Sequence, residues 1–290
     1  MQAQRAKLEG GRWHFQHGPI DIVIGADGDA AALDAAHEAA WARFDTVLAE
    51  LVVELPALRA PVRDACPLRG VVARRMWAAC APYRPTFITP MAAVAGAVAQ
   101  ELIGCYARTG IRRAWVNNGG DIALHLAPGA SVRVGLFADL ARLDPGDIRS
   151  DGFFDIDAAM PVRGIATSGW RGRSFSLGIA DSVTVLARSA AQADAAATII
   201  ANAVDVADPR IRRAPANTLK DDADLGAIPV TVDVPALEPA LVQRALRAGA
   251  ARANELRRAG LIERAVLVCQ NAWLRVNAET PEPELGSVFA

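Results

Sequence analysis

The sequence predicts an α+β protein in which antiparallel sheets pack against helices. Runs of alternating apolar residues are bounded by glycine and proline turns, which is typical of strands in hairpins. Between these runs lie alanine-rich segments whose apolar residues recur at helical spacing. The strand and helix patterns do not alternate in the regular βαβ order of a parallel sheet. We therefore predict one domain over residues 1–276, with room for two lobes, and a C-terminal tail over 277–290.

The composition excludes several classes of partner. The 290 residues include 31 basic and 32 acidic side chains, for a net charge of −1, so no general attraction to nucleic acid or to an anionic membrane is expected. The four cysteines form no Cys-x-x-Cys pair, which favours reduced thiols over a disulfide framework or a zinc site. The first residues lack the apolar core of a secretory signal, and no run of about twenty apolar residues follows. These features predict a cytoplasmic protein.

The first elements are a hairpin and a long helix. Ile20, Ile22 and Ile24 alternate after a His-Gly-Pro turn, so a hairpin should enter a half-buried sheet. From Asp29 to about Ala60 the apolar residues follow helical spacing until prolines interrupt it. This helix should pack its apolar face on the sheet.

A second long helix is predicted after Thr89 and Pro90, where a capping side chain precedes a proline at the first helical position. Gly110 is the predicted C-terminal cap. Around Gly96 this helix carries only alanine and glycine on one face, so another backbone or a flat ligand can approach it closely. On its own, this face favours close helix packing.

The remaining elements follow in order. A strand, a turn at residues 117–120 and a second strand come first, and further strands end in the alternating run at 182–186. Ser189 should then cap a helix with a continuous apolar side. Residues 208–229 are polar and interrupted by proline, which predicts a loop. The sequence then predicts a strand at 230–234, a helix at 241–260 and one last strand at 261–276.

Three segments carry residues suited to binding. Consecutive glycines at Gly119 and Gly120, between Asn118 and Asp121, expose backbone N–H groups that can approach a phosphate or a cofactor ring. The same four residues also make a good hairpin turn. A second segment, Ala166-Thr167-Ser168-Gly169, offers two hydroxyls at the end of a strand. Those hydroxyls suit a phosphate or the polar edge of a flavin, or they simply cap a bend.

The third segment is the helix that carries Asp194 and Thr198. The two residues are four apart, so their oxygens lie on one helix face and could touch one ion. Mg²⁺ takes oxygen ligands and retains waters, so a carboxylate, a hydroxyl and ligand phosphates would be enough. The alternatives are a stabilising acid near the helix N-terminus and a threonine that bonds back to a carbonyl.

The order of these motifs resembles the ApbE superfamily. The segments VNNGGDI, GIATSG and SVTVLARSAAQADAAAT are similar to three successive signatures of that superfamily, whose enzymes transfer FMN from FAD to a protein threonine with Mg²⁺. The resemblance implies an ApbE-like, T-fold-related architecture with FAD and Mg²⁺ as cofactors. It further implies that Asp194 and Thr198 bind the metal, and that the turns at 118–121 and 166–169 line the flavin-nucleotide site.

The helix around Gly96 departs from the transferases. They commonly have a polar residue before this glycine and an aspartate after it, whereas this chain has Ala95 and Gln100. The segments HGPIDIVI, ITPMAAVAGAVA and DADLG look more like an ApbE-related family of shorter, mostly uncharacterised proteins. We therefore expect a flavin-transfer assay to be negative.

The sequence leaves three functions open. The first is a protein that binds a flavin nucleotide or another phosphate-bearing small molecule, with Mg²⁺. The second is a non-catalytic accessory or assembly protein with a protein partner, and the third is a role in sulfur metabolism, for which Cys66 would be the reactive thiol. A homodimer is also compatible with the sequence.

Overall fold

The computed structural model describes residues 2–136, 152–221, 223–277 and 285–287. The helices in this part of the chain are α1 (Ala30–Val53), α2 (Leu55–Leu58), α3 (Val71–Cys80), α4 (Val94–Ile103), α5 (Ala190–Ala203), α6 (Ala216–Leu219) and α7 (Pro239–Arg258). The strands are β1 (Gln4–Lys7), β2 (Trp13–His17), β3 (Ile20–Gly28), β4 (Ile111–Asn118), β5 (Asp121–Leu126), β6 (Ser131–Leu136), β7 (Gly152–Asp157), β8 (Gly164–Ser168), β9 (Ser182–Ala187), β10 (Arg212–Pro215), β11 (Pro229–Asp233), β12 (Arg264–Cys269), β13 (Ala272–Val276) and β14 (Leu285–Ser287).

The fold class is α+β, as predicted. Strands β1 to β5 pair in chain order, and each of these pairs is antiparallel. The pairs of β5 with β8, β9 with β12, β12 with β13 and β13 with β14 are antiparallel as well. Antiparallel neighbours do not require the crossover helix of a parallel pair, which explains the absence of a βαβ rhythm in the sequence.

The chain divides into two compact units. Unit 1 consists of residues 1–132, 155–166 and 187–195. In it, the face of β2 that carries Phe15 packs against α1, where the Phe15 ring centroid lies 5.4 Å from that of Phe44 and 5.2 Å from that of Trp41. The alternating residues of β3 that point to the same side, Ile22 and Ile24, are fully buried. The period-two pattern in the sequence therefore predicted the core face of this sheet correctly.

Unit 2 consists of residues 133–154, 167–186 and 196–290. Helix α7 packs its apolar side on β12 and β13. Gly249 allows this close approach, because a Cβ at that position would lie 2.8 Å from a methyl carbon of Leu267. The small two-stranded sheet of β10 and β11 also belongs to this unit.

The helix predicted from Pro90 to Gly110 is shorter than expected. Residues 90–93 and 104–106 are 3-10 turns, and only α4 between them is α-helical. Ala93 has φ −128° and ψ 16°, so the 3-10 turn before α4 is not continuous with it. As described below, the first amides of α4 are bonded to a side chain from another segment, which fixes where the helix begins.

Two further predictions are corrected. The segment expected to be a loop over 208–229 contains β10 and α6, because β10 pairs with β11, which lies later in the sequence. The single last strand is a hairpin of β12 and β13 instead. The chain reverses at Gln270, whose φ of 49° is left-handed.

Most of the predicted tail lies outside the described residues. Its described part, β14, pairs with β13 and was not expected from the sequence. The prediction of a single domain over residues 1–276 stays a prediction. Among the described helices, none combines the length and apolar character that crossing a membrane requires.

Candidate functional site

The two-glycine turn joins β4 to β5. Asn118 pairs with Asp121 across the hairpin, and Gly119 and Gly120 have φ of 66° and 108°. Positive φ at both central residues favours glycine in a two-residue hairpin loop. The Asn117 side chain accepts the Gly120 N–H at 2.8 Å, so one of the amides expected to face a ligand has a partner within the turn. A Cβ on Gly120 would meet no atom within 4 Å, so the space above the turn is open.

Asn118 and Asp194 both bond to the first turn of α4. The Asn118 side-chain amide donates to the Ala95 carbonyl at 3.1 Å. The Asp194 Oδ2 accepts the Gly96 N–H at 2.9 Å. In unit 1 the structure therefore brings the glycine turn and the predicted metal-binding aspartate to the same helix end.

Asp194 serves as the cap of α4. Ala93, at the N-cap position, offers no side-chain bond, and the Asp194 carboxylate bonds to the amides of Ala95 and Gly96 instead. An anion at a helix N-terminus is stabilised by these amides and by the helix dipole. A structural role for Asp194 is thus present whether or not the residue also binds a metal.

The electrostatic surroundings of Asp194 are unusual. The residue keeps some solvent exposure, yet burial of its carboxyl group raises the pKa of Asp194 to about 7, against the opposing effect of the two amides. Among the described residues, no basic side chain forms an ion pair with it. The buried thiol of Cys80 lies nearby, and burial, reinforced by the charge of Asp194, raises the pKa of Cys80. A buried carboxylate without a counter-charge is costly to ionise.

The helix that carries Asp194 is packed tightly against α4. A Cβ on Gly96 would collide with the Ala190 carbonyl oxygen and lie 2.9 Å from the Cβ of Asp194. Gln100 accepts the Ala191 N–H at 3.3 Å, and Ser189 accepts the Gln192 N–H at 3.4 Å. The small-residue face around Gly96 therefore serves close helix packing, and Gln100 helps to cap α5.

Ala166 is the one residue of the predicted 166–169 turn that belongs to unit 1. Ile122 of β5 pairs with Ile165 of β8, so Asp121 and Ala166 follow at neighbouring ends of these strands. Ala166 is fully buried and Asp121 nearly so. Within unit 1, Asp121 and Ala166 therefore lie on neighbouring strands at the same end of the sheet.

Unit 2 contains the rest of this turn, which is Thr167, Ser168 and Gly169. The Thr167 hydroxyl lies 2.9 Å from that of Thr184 on β9. Gly169 is buried, and a Cβ there would collide with the carbonyl oxygen of Asp181. Close backbone packing thus requires this glycine, in addition to any role toward a ligand. Thr198 lies on α5 and is partly buried.

Sequence reasoning did not identify Asp181, which supports the turn after Gly169. Its side chain is only 9% exposed, and Oδ1 accepts the Trp170 indole N–H at 3.2 Å and lies 3.5 Å from the Arg171 Nε. Oδ2 accepts the backbone N–H of Gln270 in the β12–β13 turn. The hint in the sequence was an aspartate directly before the apolar run of β9, where a charged residue needs buried partners.

The other candidates show less organisation. Cys66 is exposed, and its sulfur lies 3.9 Å from the Leu68 carbonyl oxygen. Within the described ranges, no group of three or more histidine, cysteine, aspartate or glutamate residues could hold a metal ion.

The sequence of this chain is similar to one protein family and to several known proteins. A family model described as "AbpE bacteria" matches residues 4–278. A UPF0280 protein of Methanopyrus kandleri is 36% identical over 194 residues, which cover 65% of this chain and 72% of that protein. A UPF0280 protein of Methanospirillum hungatei is 40% identical over 122 residues, 42% of this chain and 47% of the relative, so this chain spans about half of that protein's length.

Two solved structures were also matched. The apo flavinyl transferase ApbE of Pseudomonas stutzeri is 13% identical with a TM-score of 0.44, and the match covers 99% of this chain and 94% of that one. The flavin transferase ApbE of Vibrio cholerae is 13% identical with a TM-score of 0.34, over 99% and 98% of the two chains. With TM-scores below 0.5, neither match indicates a ligand or an activity for this chain.

The resemblance read from the motifs is confirmed by the match of the family model over most of the chain, together with the UPF0280 relatives. The chain belongs to the family described as AbpE bacteria, within the ApbE-like superfamily.

Proposed function

We propose that this chain binds a flavin nucleotide, such as FAD, or another phosphate-bearing small molecule together with Mg²⁺. The proposed metal ligands are Asp194 and Thr198, one helical turn apart on α5. The proposed ligand-binding turns are residues 118–121 and 166–169. Flavin transfer to a protein is not part of the proposal.

One observation carries the proposal: Asp194 is a desolvated carboxylate that lacks a cationic partner among the described residues. A bound divalent cation would supply the missing counter-charge and favour the ionised form. Since Mg²⁺ retains several waters and bonds to ligand phosphates, a carboxylate and a hydroxyl fit its needs. When bound, the ion would neutralise phosphate charge.

The surroundings of Asp194 support the same proposal. Asn118, next to the open two-glycine turn, bonds to the same helix end as Asp194. A ligand over this turn would therefore lie close to the proposed metal ligand. At the position of Gln100 the transferases commonly have an aspartate. In this chain the Gln100 side chain is bonded to the start of α5, which supports the expectation of no flavin transfer.

Titration of the purified protein with FAD, FMN and ATP, with and without Mg²⁺, tests the proposal. Asp194→Asn keeps an oxygen that can accept the Gly96 N–H but removes the charge. We expect this variant to fold and to lose most of the Mg²⁺-dependent affinity, about tenfold or more. Asp45→Asn, an exposed acid on α1, is the matched control and should bind as the wild type does.

Two results would contradict the proposal. One is a folded wild-type protein that binds none of the three nucleotides under either condition. The other is an Asp194→Asn variant whose binding depends on Mg²⁺ as strongly as that of the wild type. Release of AMP from FAD, with FMN attached to a protein threonine, would show that the protein is a flavin transferase.

A non-catalytic accessory role is the second candidate function. It is favoured by a row of exposed arginines on α7 that lack acidic partners among the residues the structure describes, which suits a protein partner. This role predicts that Asp194→Ala leaves the cellular function intact. The cytoplasmic location, the homodimer and the sulfur-metabolism role stay predictions.

A further inference from the structure

Helix α7 concentrates positive charge on a chain whose net charge is −1. Its residues include five arginines and one acid, Glu255, in a length of 20 residues. The opposite side of the helix is apolar and buried, through Val242, Ala245, Leu246, Gly249, Ala250, Ala253 and Leu256. The helix is therefore held firmly against unit 2 while its charged side faces solvent.

Three of the arginines lie on one narrow face. Arg244, Arg247 and Arg258 are all exposed, and at 100° per residue they fall within a sector of about 60°. The exposed Ala240 and Ala251 lie in the same sector. This basic face extends about 21 Å from Arg244 to Arg258 at the rise of an α-helix.

The arginines of the basic face lack acidic partners in the described part of the chain. Some other arginines do pair with carboxylates, as Arg43 does with Glu50 and Arg213 with Asp205. On α7 itself, the only acid bonds to Arg252, at 2.8 Å, outside the basic face. The positive charge of the face is therefore not balanced locally.

We propose that the basic face of α7 docks an acidic segment of a partner protein. Three guanidinium groups in a row match carboxylates repeated along a helix or strand, and arginine binds carboxylates with two parallel hydrogen bonds. The short alanine side chains between them leave room for the partner's backbone or apolar side chains. A docked segment of about four helical turns would cover the whole face.

An acidic protein segment fits better than nucleic acid or an anionic membrane. Binding to a polyanion relies on many contacts with phosphates and is opposed by other negative charge on the protein. This chain carries 32 acidic residues against 31 basic ones, and the basic face contributes only three charges. A membrane-bound helix would in addition present large apolar residues, which the basic face lacks.

The test uses a labelled synthetic helix of about the same length, with glutamates on one face at the spacing of the arginines and alanines between them. Fluorescence anisotropy measures its binding to the full chain. We expect binding that weakens as ionic strength rises, and about a tenfold loss for Arg244→Glu combined with Arg247→Glu. A peptide of the same composition with scrambled glutamates should bind more weakly than the designed helix.

The control is Arg112→Glu combined with Arg212→Glu, which changes the net charge equally at exposed residues that are not part of α7. This control should bind the peptide about as the wild type does. Equal affinity of the wild type and the α7 variant, or no preference for the designed peptide over the scrambled one, would overturn the proposal. Tighter binding of single-stranded DNA or of phosphatidylserine vesicles through the same two arginines would overturn the choice of partner. Circular dichroism confirms that both variants are folded.

Discussion

Gly96 links a feature of the sequence to the packing of two helices. Its missing side chain lets the start of α5 lie directly against α4, with the Ala190 carbonyl where a Cβ would be. This contact positions Asp194 to cap α4. The alanine-rich face that could also have received a flat ligand is in this way used for helix packing.

We predict that Gly96→Ala destabilises the protein by about 1–3 kcal/mol, because a methyl group must displace backbone atoms. The matched control is Gly104→Ala at the end of α4, where a Cβ would meet nothing within 4 Å. That change should be neutral or slightly stabilising. Chemical denaturation measures both, and equal effects at the two positions would contradict the close contact.

His37 is a second residue whose surroundings dictate a measurable property. Its Nδ1 lies 2.7 Å from the hydroxyl of Tyr106, and its ring packs 5.7 Å from that of Trp13. Burial lowers the pKa of His37, while Asp34 opposes this shift. The folded protein therefore holds a neutral histidine.

This histidine predicts a loss of stability in mild acid. As the pH falls below about 6.5, His37 binds a proton in the unfolded chain but not in the folded protein. Its contribution therefore decreases the free energy of unfolding by at most about 1.4 kcal/mol per pH unit. The decrease ends once the pH passes the lowered pKa of the folded state. Urea titrations from about pH 5 to pH 8 should show that His37→Gln loses less stability, or gains more, than the wild type as the pH falls, since the raised pKa of Asp194 contributes the opposite slope equally in both proteins. His125→Gln is the control, and it should keep the wild-type slope.

At the scale of an element, α3 begins where a side chain from another segment caps it. Gly70, at the N-cap position, has no side chain to offer. The Glu54 carboxylate accepts the N–H groups of Arg69 and Gly70, each at 2.7 Å. Both α3 and α4 therefore start at carboxylates that are distant in sequence, which local capping rules cannot detect.

We predict that Glu54→Ala costs about 1–2 kcal/mol of stability, since two charge-assisted hydrogen bonds at a helix start are lost. Glu38→Ala is the control, because that carboxylate is 63% exposed and only bridges Arg5. It should cost less than about 1 kcal/mol. Thermal and urea unfolding measure the stability of both variants. Equal losses of stability would contradict the capping role of Glu54.

At the scale of the whole molecule, Asp181 joins two turns of unit 2 that are distant in sequence. Its carboxylate joins the turn at Trp170 and Arg171 to the reversal at Gln270. The Gln270 side chain continues the connection, since Oε1 accepts the Leu237 N–H at 3.1 Å and Nε2 donates to the Pro235 carbonyl at 2.6 Å. The left-handed Gln270 is stabilised by these contacts on both sides.

We predict that Asp181→Ala destabilises the protein by about 3 kcal/mol, because the indole and the Gln270 amide lose a buried acceptor. Asp233→Ala, a carboxylate 46% exposed in the same unit, should cost less than about 1 kcal/mol. Unfolding monitored by tryptophan fluorescence distinguishes the two. Asp181→Asn should recover part of the loss, since it retains an acceptor for Trp170.

Alternation and turn chemistry made much of the fold predictable. The hairpin of β2 and β3, the two-glycine turn after Asn118 and the cap at Ser189 depend on neighbours in sequence. The motifs also indicated the family correctly. The pairing of β10 with β11 and the reversal at Gln270 depend on distant partners, and the sequence pattern missed both.

The α+β class, the core faces of the central strands and the family could be predicted from the amino-acid sequence, because they follow from local periodicity and from motifs. The folded structure was needed to show that Asp194 caps α4, that Asp181 joins two turns and that three arginines of α7 have no acidic partner among the described residues. Each of these depends on which distant groups come within hydrogen-bonding distance. Whether an aspartate is a cap, a ligand or a solvated charge is settled by such neighbours, which spacing along the chain does not specify.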